Sequence, residues 1–289
     1  MKSKILAEKI KISSFDELLG GSADSVMEVR LEELHEFQGH PFRVLDDEKM
    51  AETVESVRQH GILVPGIVRR RPEGGYEIIS GHRRKRASML AGKTTMPVIV
   101  RHYTDDEATI IMVDSNIQRE DLLPSEKAKA YRMKFDAMKH QGSRAGGCTI
   151  DLIGNESGES GKTVQRYIAL SRLNDDLLQM VDEGMLMFVP GVDISQLNEE
   201  QQQWVLDAIK ESGVSLSRQQ SVFIKNNAKS GDLSPEMLKM LFAVEKPQPR
   251  RITLKQERLN QYFDENWNND EIEELICGLL DEWKKRVGK

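Results

Sequence analysis

The chain has 289 residues, 38% hydrophobic and 30% charged, with a net charge of -6 and a pI of about 5.7. That length suits two or three small domains, each with its own core, and the acid surplus excludes a protein that coats nucleic acid indiscriminately. No apolar run approaches a bilayer span, no apolar core follows the basic start Met1-Lys2-Ser3-Lys4 as a secretory signal requires, and the only cysteines, Cys148 and Cys277, lack zinc spacing, so a cytoplasmic chain with free thiols is expected. In chain order, residues 1–25 read as a flexible arm with one or two helical turns (Ile12, Phe15, Leu18, Leu19) ending in Gly20-Gly21-Ser22, and compact structure is expected from Val26. Asp46-Asp47 can cap a helix that carries Met50, Val54 and Val57 at helical spacing and ends at Gly61. The run Ile67-Val68-Arg69, the turn Pro72-Glu73-Gly74-Gly75 and the run Tyr76–Ile79 predict a β-hairpin, followed by a helix over 82–91 stopped by Gly92 and a strand over Met96–Arg101. Short strands alternating with helices indicate a small α+β domain.

The helix expected after the hairpin opens with Gly81-His82-Arg83-Arg84-Lys85-Arg86-Ala87. A glycine there allows close backbone approach, the first-turn N–H groups and helix dipole favour an anion, and arginine forks grip phosphate oxygens in pairs. Nine Lys/Arg against Glu73 and Glu77 between Arg69 and Arg101 give a local balance of about +7, which marks this segment for an anion. Downstream, Asp114-Ser115-Asn116-Ile117-Gln118-Arg119-Glu120-Asp121-Leu122 offers an amide oxygen suited to a hard metal ion.

Thr104-Asp105-Asp106 can cap a helix running towards Asn116, and Pro124 starts a helical pattern that lasts to about His140. After a turn-rich break at Gln141–Gly147, short helices are expected over Ile150–Ile153 and Thr163–Leu173, flanking the Gly- and Ser-rich stretch Gly154–Gly161. The spacing resembles a helix-turn-helix, although that stretch is not a standard tight turn. Ser160, Lys162, Thr163, Gln165 and Arg166 would then sit where base and phosphate contacts are made, with Val164, Ile168 and Leu170 on the buried side. Further helices run to about Phe242, a Pro-rich linker follows at Lys246–Arg251, and Ile272, Leu275, Ile276, Leu279, Leu280 and Trp283 make one apolar face of a terminal helix. That face either packs on Tyr262, Phe263 and Trp267 or associates with a second copy.

Four tracts in order resemble the ParB family of chromosome and plasmid partition proteins. His40-Pro41-Phe42-Arg43-Val44-Leu45-Asp46-Asp47 is like the family's N-P-x-Q-P-R-x-x-F-D-D, and Ser56–Pro65 is like its S-I-x-x-x-G-I-L-Q-P. Ile79–Ala87 is like its G-E-R-R-x-R-A box and Ser115–Leu122 like its E-N-x-Q-R-x-D-L box. The resemblance is good from about Val26 to Pro190, while the remainder is similar only to divergent relatives on mobile elements. It implies a small N-terminal α/β domain of the ParB/sulfiredoxin type (26–122) after the arm (1–25), an all-α helix-turn-helix domain (123–243), and a linker with a helical dimerisation segment (244–289). It further implies a homodimeric clamp that loads on double-stranded DNA at a palindromic site, closes with CTP and Mg²⁺, and serves plasmid, chromosome or mobile-element segregation in the nucleoid. Nucleotide contacts would come from Arg43, Gly81, His82, Arg83 and Arg84, and the metal ligand would be Asn116. Phe15–Gly20 could dock a ParA-type ATPase or be a plain tail.

Two departures matter. His82 and Ser115 stand where the family has glutamates associated with metal handling and hydrolysis, so nucleotide binding with slow CTP hydrolysis is expected. Three other classes compete. Sulfiredoxin chemistry needs a cysteine where this chain has Gly81-His82-Arg83, and an ATP-dependent small-molecule kinase would leave the DNA-reading module unexplained. A helix-turn-helix regulator without nucleotide dependence stays open because of His82 and Ser115.

Overall fold

The computed structural model describes residues 26–119, 121–141, 146–243, 262–263 and 267–287. The expected arm with its Phe15–Gly20 segment, the linker at Lys246–Arg251 and most of the break after Gln141 lie outside these residues. The chain divides into two compact units between Ala243 and Val244.

The first unit begins with β1 (Met27–Arg30), a 3-10 turn (Leu31–Glu33), β2 (Leu34–His35), α1 (Glu48–His60), β3 (Gly66–Arg70), β4 (Tyr76–Ser80), α2 (His82–Leu90) and β5 (Thr95–Arg101). The five strands form one sheet in the order β1-β5-β3-β4-β2. The β3–β4 hairpin and the β1–β5 pair are antiparallel, while β3–β5 and β2–β4 are parallel. Strand alternation sets the two faces. Val68 and Ile78 join Val29, Leu34, Met96 and Val98 in a cluster on one side. Ile67 and Ile79 belong to a different cluster, built with the helices that follow. Each such buried aliphatic contributes about 1.5–3 kcal/mol. The helix α1 forms for the reason its sequence suggests: the Asp47 carboxylate accepts from the Met50 N–H at 2.8 Å, and Met50, Val54 and Val57 are buried together with Ala87 of α2.

Next come α3 (Asp105–Asp114), opened by a Thr104–Glu107 capping box, and α4 (Pro124–His140), with the proline in its first turn. The apolar cluster that begins at Ile67 and Ile79 continues through Ala108, Ile111 and Met112 to Tyr131, Ile153, Val164 and Ile168. A single packed core thus reaches from the sheet into the helix pair α5 (Gly146–Ser157) and α6 (Gly161–Leu170).

This pair departs from the sequence expectation. The first helix runs on through Asn155-Glu156-Ser157, so the connection is only Gly158-Glu159-Ser160 and is a tight turn after all. Gly158 takes φ +74°, a region that glycine enters without steric cost. A Cβ on Gly154 would lie 2.7 Å from the Glu159 carbonyl and 3.0 Å from the Gly161 nitrogen. Glycine there permits backbone-to-backbone approach, and a Gly/Ser-rich stretch that looks like a loop by composition is a close helix crossing. The helices α7 (Asp175–Asp182), α8 (Phe188–Ile194), α9 (Glu199–Ser212), α10 (Arg218–Ser230) and α11 (Pro235–Ala243) then pack around Leu177, Ile194, Leu206 and Ile224. The expected architecture, α+β followed by helices, is the observed one.

In the second unit, Phe263 meets Trp267 edge-on at 5.5 Å, and α12 (Asn269–Val287) carries Leu279, Leu280 and Trp283 at 57–60% exposure. No described helix is long and apolar enough to cross a membrane.

Candidate nucleotide and nucleic-acid sites

The start of α2 is built on Gly81, whose φ of +117° an L side chain rarely adopts. A Cβ there would press on Gly66 Cα and Met96 Cε, both at 3.3 Å, and on Arg84 Cζ at 3.4 Å. Three distant segments meet this helix. Arg83 reaches the Asp47 carboxylate at 3.1 Å, and Arg86 pairs with both oxygens of Asp46 at 3.0 and 2.5 Å. Arg84 donates to the Val64 and Pro65 carbonyls at 2.7 and 2.5 Å, and Lys85 to the Leu34 carbonyl at 2.6 Å. The His40 ring stacks on His82 with centroids 3.8 Å apart.

These contacts change the meaning of the local positive charge. Carboxylates from outside the basic window draw it down: Asp46 and Asp47 take Arg86 and Arg83, and Asp105 joins Glu77 on Arg69. Those arginines hold Asp46 and Asp47 below the usual carboxylate range, with the Met50 N–H helping at Asp47. Arg84 differs: among the described residues only carbonyl oxygens satisfy it, and burial pulls its pKa below the ordinary guanidinium value. A part-buried cation with no counter-charge, one turn into a helix N-terminus, is where an anion is most stabilising.

His82 is neutral here. Burial pushes its pKa down to about 3, and the neighbouring His40, Lys85 and Arg84 push the same way. Burial also lowers His40, against the pull of Phe42, Glu36 and Glu126 and with that of Arg119. The Nε2 atoms of both rings are buried without a hydrogen-bond partner among the described residues.

Arg43 is not gathered with the others. Its backbone N–H donates to Glu126 at 2.6 Å, while its guanidinium turns to Asp182 of α7 at 3.1 Å, and Asp182 also accepts from the Ser125 N–H and hydroxyl. Asn116 lies in the turn after α3. Its amide N–H₂ donates to the Met112 carbonyl at 2.9 Å and to Ser115 Oγ at 3.1 Å, which leaves its oxygen without a partner among the described residues. No group of three His, Cys, Asp or Glu suited to a metal ion occurs among the described residues. A divalent ion at Asn116 would therefore draw its remaining oxygens from a ligand's phosphates and from water, a donor set magnesium accepts.

The second site is α6. Val164, Ile168 and Leu170 are buried, as the sequence suggests, and Lys162, Gln165 and Arg166 are exposed. Ser160 and Thr163 are already engaged: Ser160 Oγ accepts from the Thr163 N–H at 3.1 Å and lies 2.8 Å from Thr163 Oγ1, so both hydroxyls serve the helix start.

The sequence reading missed His40, the Asp46 and Asp47 partners, and Lys134, whose buried ammonium is held by Asp114 and Glu156. His40, Asp46 and Asp47 all stand in the first tract, but nothing in the sequence points to their contacts with α2. These are pairings between residues tens of positions apart.

Residues 17–117 match the ParB N-terminal domain family. The probable chromosome 1-partitioning protein ParB of Deinococcus radiodurans is 31% identical over 196 residues, 68% of this chain and 65% of its own length. Stage 0 sporulation protein J of Bacillus subtilis is 37% identical over 165 residues, 57% of this chain and 55% of its own. The match thus spans between about half and two-thirds of these relatives. A C-terminally truncated ParB from Caulobacter crescentus, solved with the centromeric parS site, superposes at a TM-score of 0.43 with 24% identity, over 75% of this chain and 98% of that one. Its complex with CTP-gamma-S superposes at 0.31 with 28% identity, over 61% and 94%. The chain thus carries a ParB N-terminal domain, and its similarity to ParB-type partition proteins extends beyond that domain.

Proposed function

We propose that the chain is a CTP-regulated, site-specific DNA-binding protein that works as a homodimer in the segregation of a replicon, in the nucleoid-bearing cytoplasm. The observation that carries the nucleotide reading is Arg84, a part-buried cation at the start of α2 that, among the described residues, only carbonyl oxygens hold. A triphosphate would supply its missing counter-charge. Gly81 lets the start of α2 pack closely on Gly66, and Asn116 offers an amide oxygen without a partner among the described residues to an accompanying Mg²⁺, which would neutralise phosphate charge. Arg83 is a weaker phosphate ligand than the sequence suggests, because Asp47 already holds it, and Arg43 would first have to leave Asp182. The DNA reading rests on α6, where Lys162, Gln165 and Arg166 stand exposed on the second helix of a tight helix-turn-helix. A dimer would double the contact of one reading helix, as a palindromic site requires.

The test is calorimetric titration of the full chain with CTP and, in parallel, ATP in Mg²⁺ buffer. Saturable binding of CTP in preference to ATP is the expected result, and Arg84→Ala should weaken it at least about 10-fold, the equivalent of about 1.4 kcal/mol for one lost charged contact. A preference for ATP would support a kinase of the same fold. Binding of neither, with or without DNA, would leave the nucleotide-independent regulator, the reading that the Arg43–Asp182 pair favours.

A further inference from the structure

Lys134 sits in the middle of α4 with its side chain only 2% exposed. Its ammonium is shared by two carboxylates from different helices, Asp114 and Glu156, the latter at 2.6 Å. Burying an ammonium costs several kcal/mol unless it stays paired, so this cation cannot release either partner cheaply. The two partners occupy telling positions. Asp114 is the last residue of α3 and directly precedes Ser115 and Asn116. Glu156 lies in the last turn of α5, two residues before the Gly158 that opens the turn into α6. A second link runs beside the first, since Gln118 Nε2 donates to the Glu156 carbonyl at 3.2 Å. Beyond Glu156 the connection is stiff, because Gly154 lies against the backbone of Glu159 and Gly161.

We propose that Lys134 is a positioning residue that couples the nucleotide site to the DNA-reading helix, by holding the turn at 115–118 and the end of α5 on one buried ammonium. The proposal rests on the nucleotide reading above and assigns that site a route to α6. When a nucleotide engages Asn116 and displaces its turn, Asp114 moves with it. Lys134 follows rather than lose a buried charge pair, Glu156 follows Lys134, and the tight turn passes the shift to Ser160 and Lys162. A plain structural staple would stabilise the same helices but carry no message between the sites, and spatial intermediacy alone does not distinguish the two.

Hydrogen exchange of the full chain, with and without CTP and Mg²⁺, distinguishes them. In the wild type, CTP should change exchange in peptides covering 154–166 by about fivefold or more, the lower range of typical coupling between sites. In Lys134→Met, which fills the same space without the charge, CTP should bind with unchanged affinity by calorimetry while the change over 154–166 disappears. Lys134→Arg should restore part of it. Should the methionine variant fail to fold by circular dichroism, Glu156→Gln severs one arm and is expected to weaken the response in the same peptides. An undiminished response in Lys134→Met, or in Glu156→Gln where that variant stands in, overturns the proposal. So does a wild type that binds CTP without any change over 154–166. A wild type that binds no CTP instead removes the nucleotide reading, and the coupling with it.

Discussion

Arg84 and His82 are two positions apart and have opposite electrostatic characters. Arg84 Nη1 donates to two carbonyl oxygens, and no carboxylate among the described residues balances its charge. His82, buried against another imidazole and close to two cations, loses its charge, with a pKa lowered from 6.5 to about 3. The folded state therefore binds fewer protons at this site than the unfolded state does throughout that interval. Stability should be fully present above pH 6.5 and should fall as pH drops towards 3, by at most about 1.4 kcal/mol per pH unit from this residue. Urea melts between pH 7 and pH 4 would measure this. Replacing His82 with Gln should flatten the profile, and an equally steep profile in the variant would assign the acid sensitivity to other groups. The composition of the Gly81–Ala87 tract could mark it as basic, but only folding separates the arginines that Asp46 and Asp47 have taken from Arg84, which has carbonyl partners alone among the described residues.

Among the elements, the helix-turn-helix shows how packing can overrule composition. Gly154, Gly158 and Gly161 within eight residues read as a loop, because glycine lowers helix propensity by about 1 kcal/mol each. The helix nonetheless continues to Ser157, since burial of Ile153 and the crossing at Gly154 repay that cost. A methyl group at Gly154 would collide with backbone rather than with a flexible side chain. We expect Gly154→Ala to destabilise the chain by about 1–3 kcal/mol, as overpacking does, seen as a lower Tm and faster exchange across α5 and α6. An unchanged Tm would show that the crossing can widen. By contrast α1, α3 and α4 were legible almost to the residue, because their signals are local: Asp47, the Thr104–Glu107 box and Pro124 lie within one turn of the ends they define.

At the scale of the whole molecule, the chain consists of a unit ending at Ala243, whose sheet and helices share a continuous core, and a second unit whose described helix buries little of its own apolar face. The period that placed Leu275, Leu279, Leu280 and Trp283 on one side of α12 is helical, and these residues are 43–60% exposed. Trp267 lines a shallow cavity with Leu275 and Leu279 at one end of that face, and Tyr262 is 80% exposed. Exposed apolar patches of this kind mark association surfaces, so we expect the double change Leu279→Glu and Leu280→Glu to convert a dimer to monomer in analytical ultracentrifugation, with far-ultraviolet circular dichroism little altered. A variant that remains dimeric would move the interface elsewhere.

The sequence by itself determined the element order from α1 to α6, the α+β class, the four tracts that carry the family likeness and the buried side of α6, but not the strands β1 and β2. All of these depend on spacing within a few residues, where periodicity, caps and turns act. Tertiary structure alone decided which charges are neutralised, where Arg43 points and what Lys134 holds. Those partners stand 139 positions apart for Arg43 and Asp182, and 20 and 22 apart for Lys134 with its two carboxylates. A buried charge takes whichever counter-charge the packed chain brings within reach, and that choice is made by the fold rather than by neighbours in sequence.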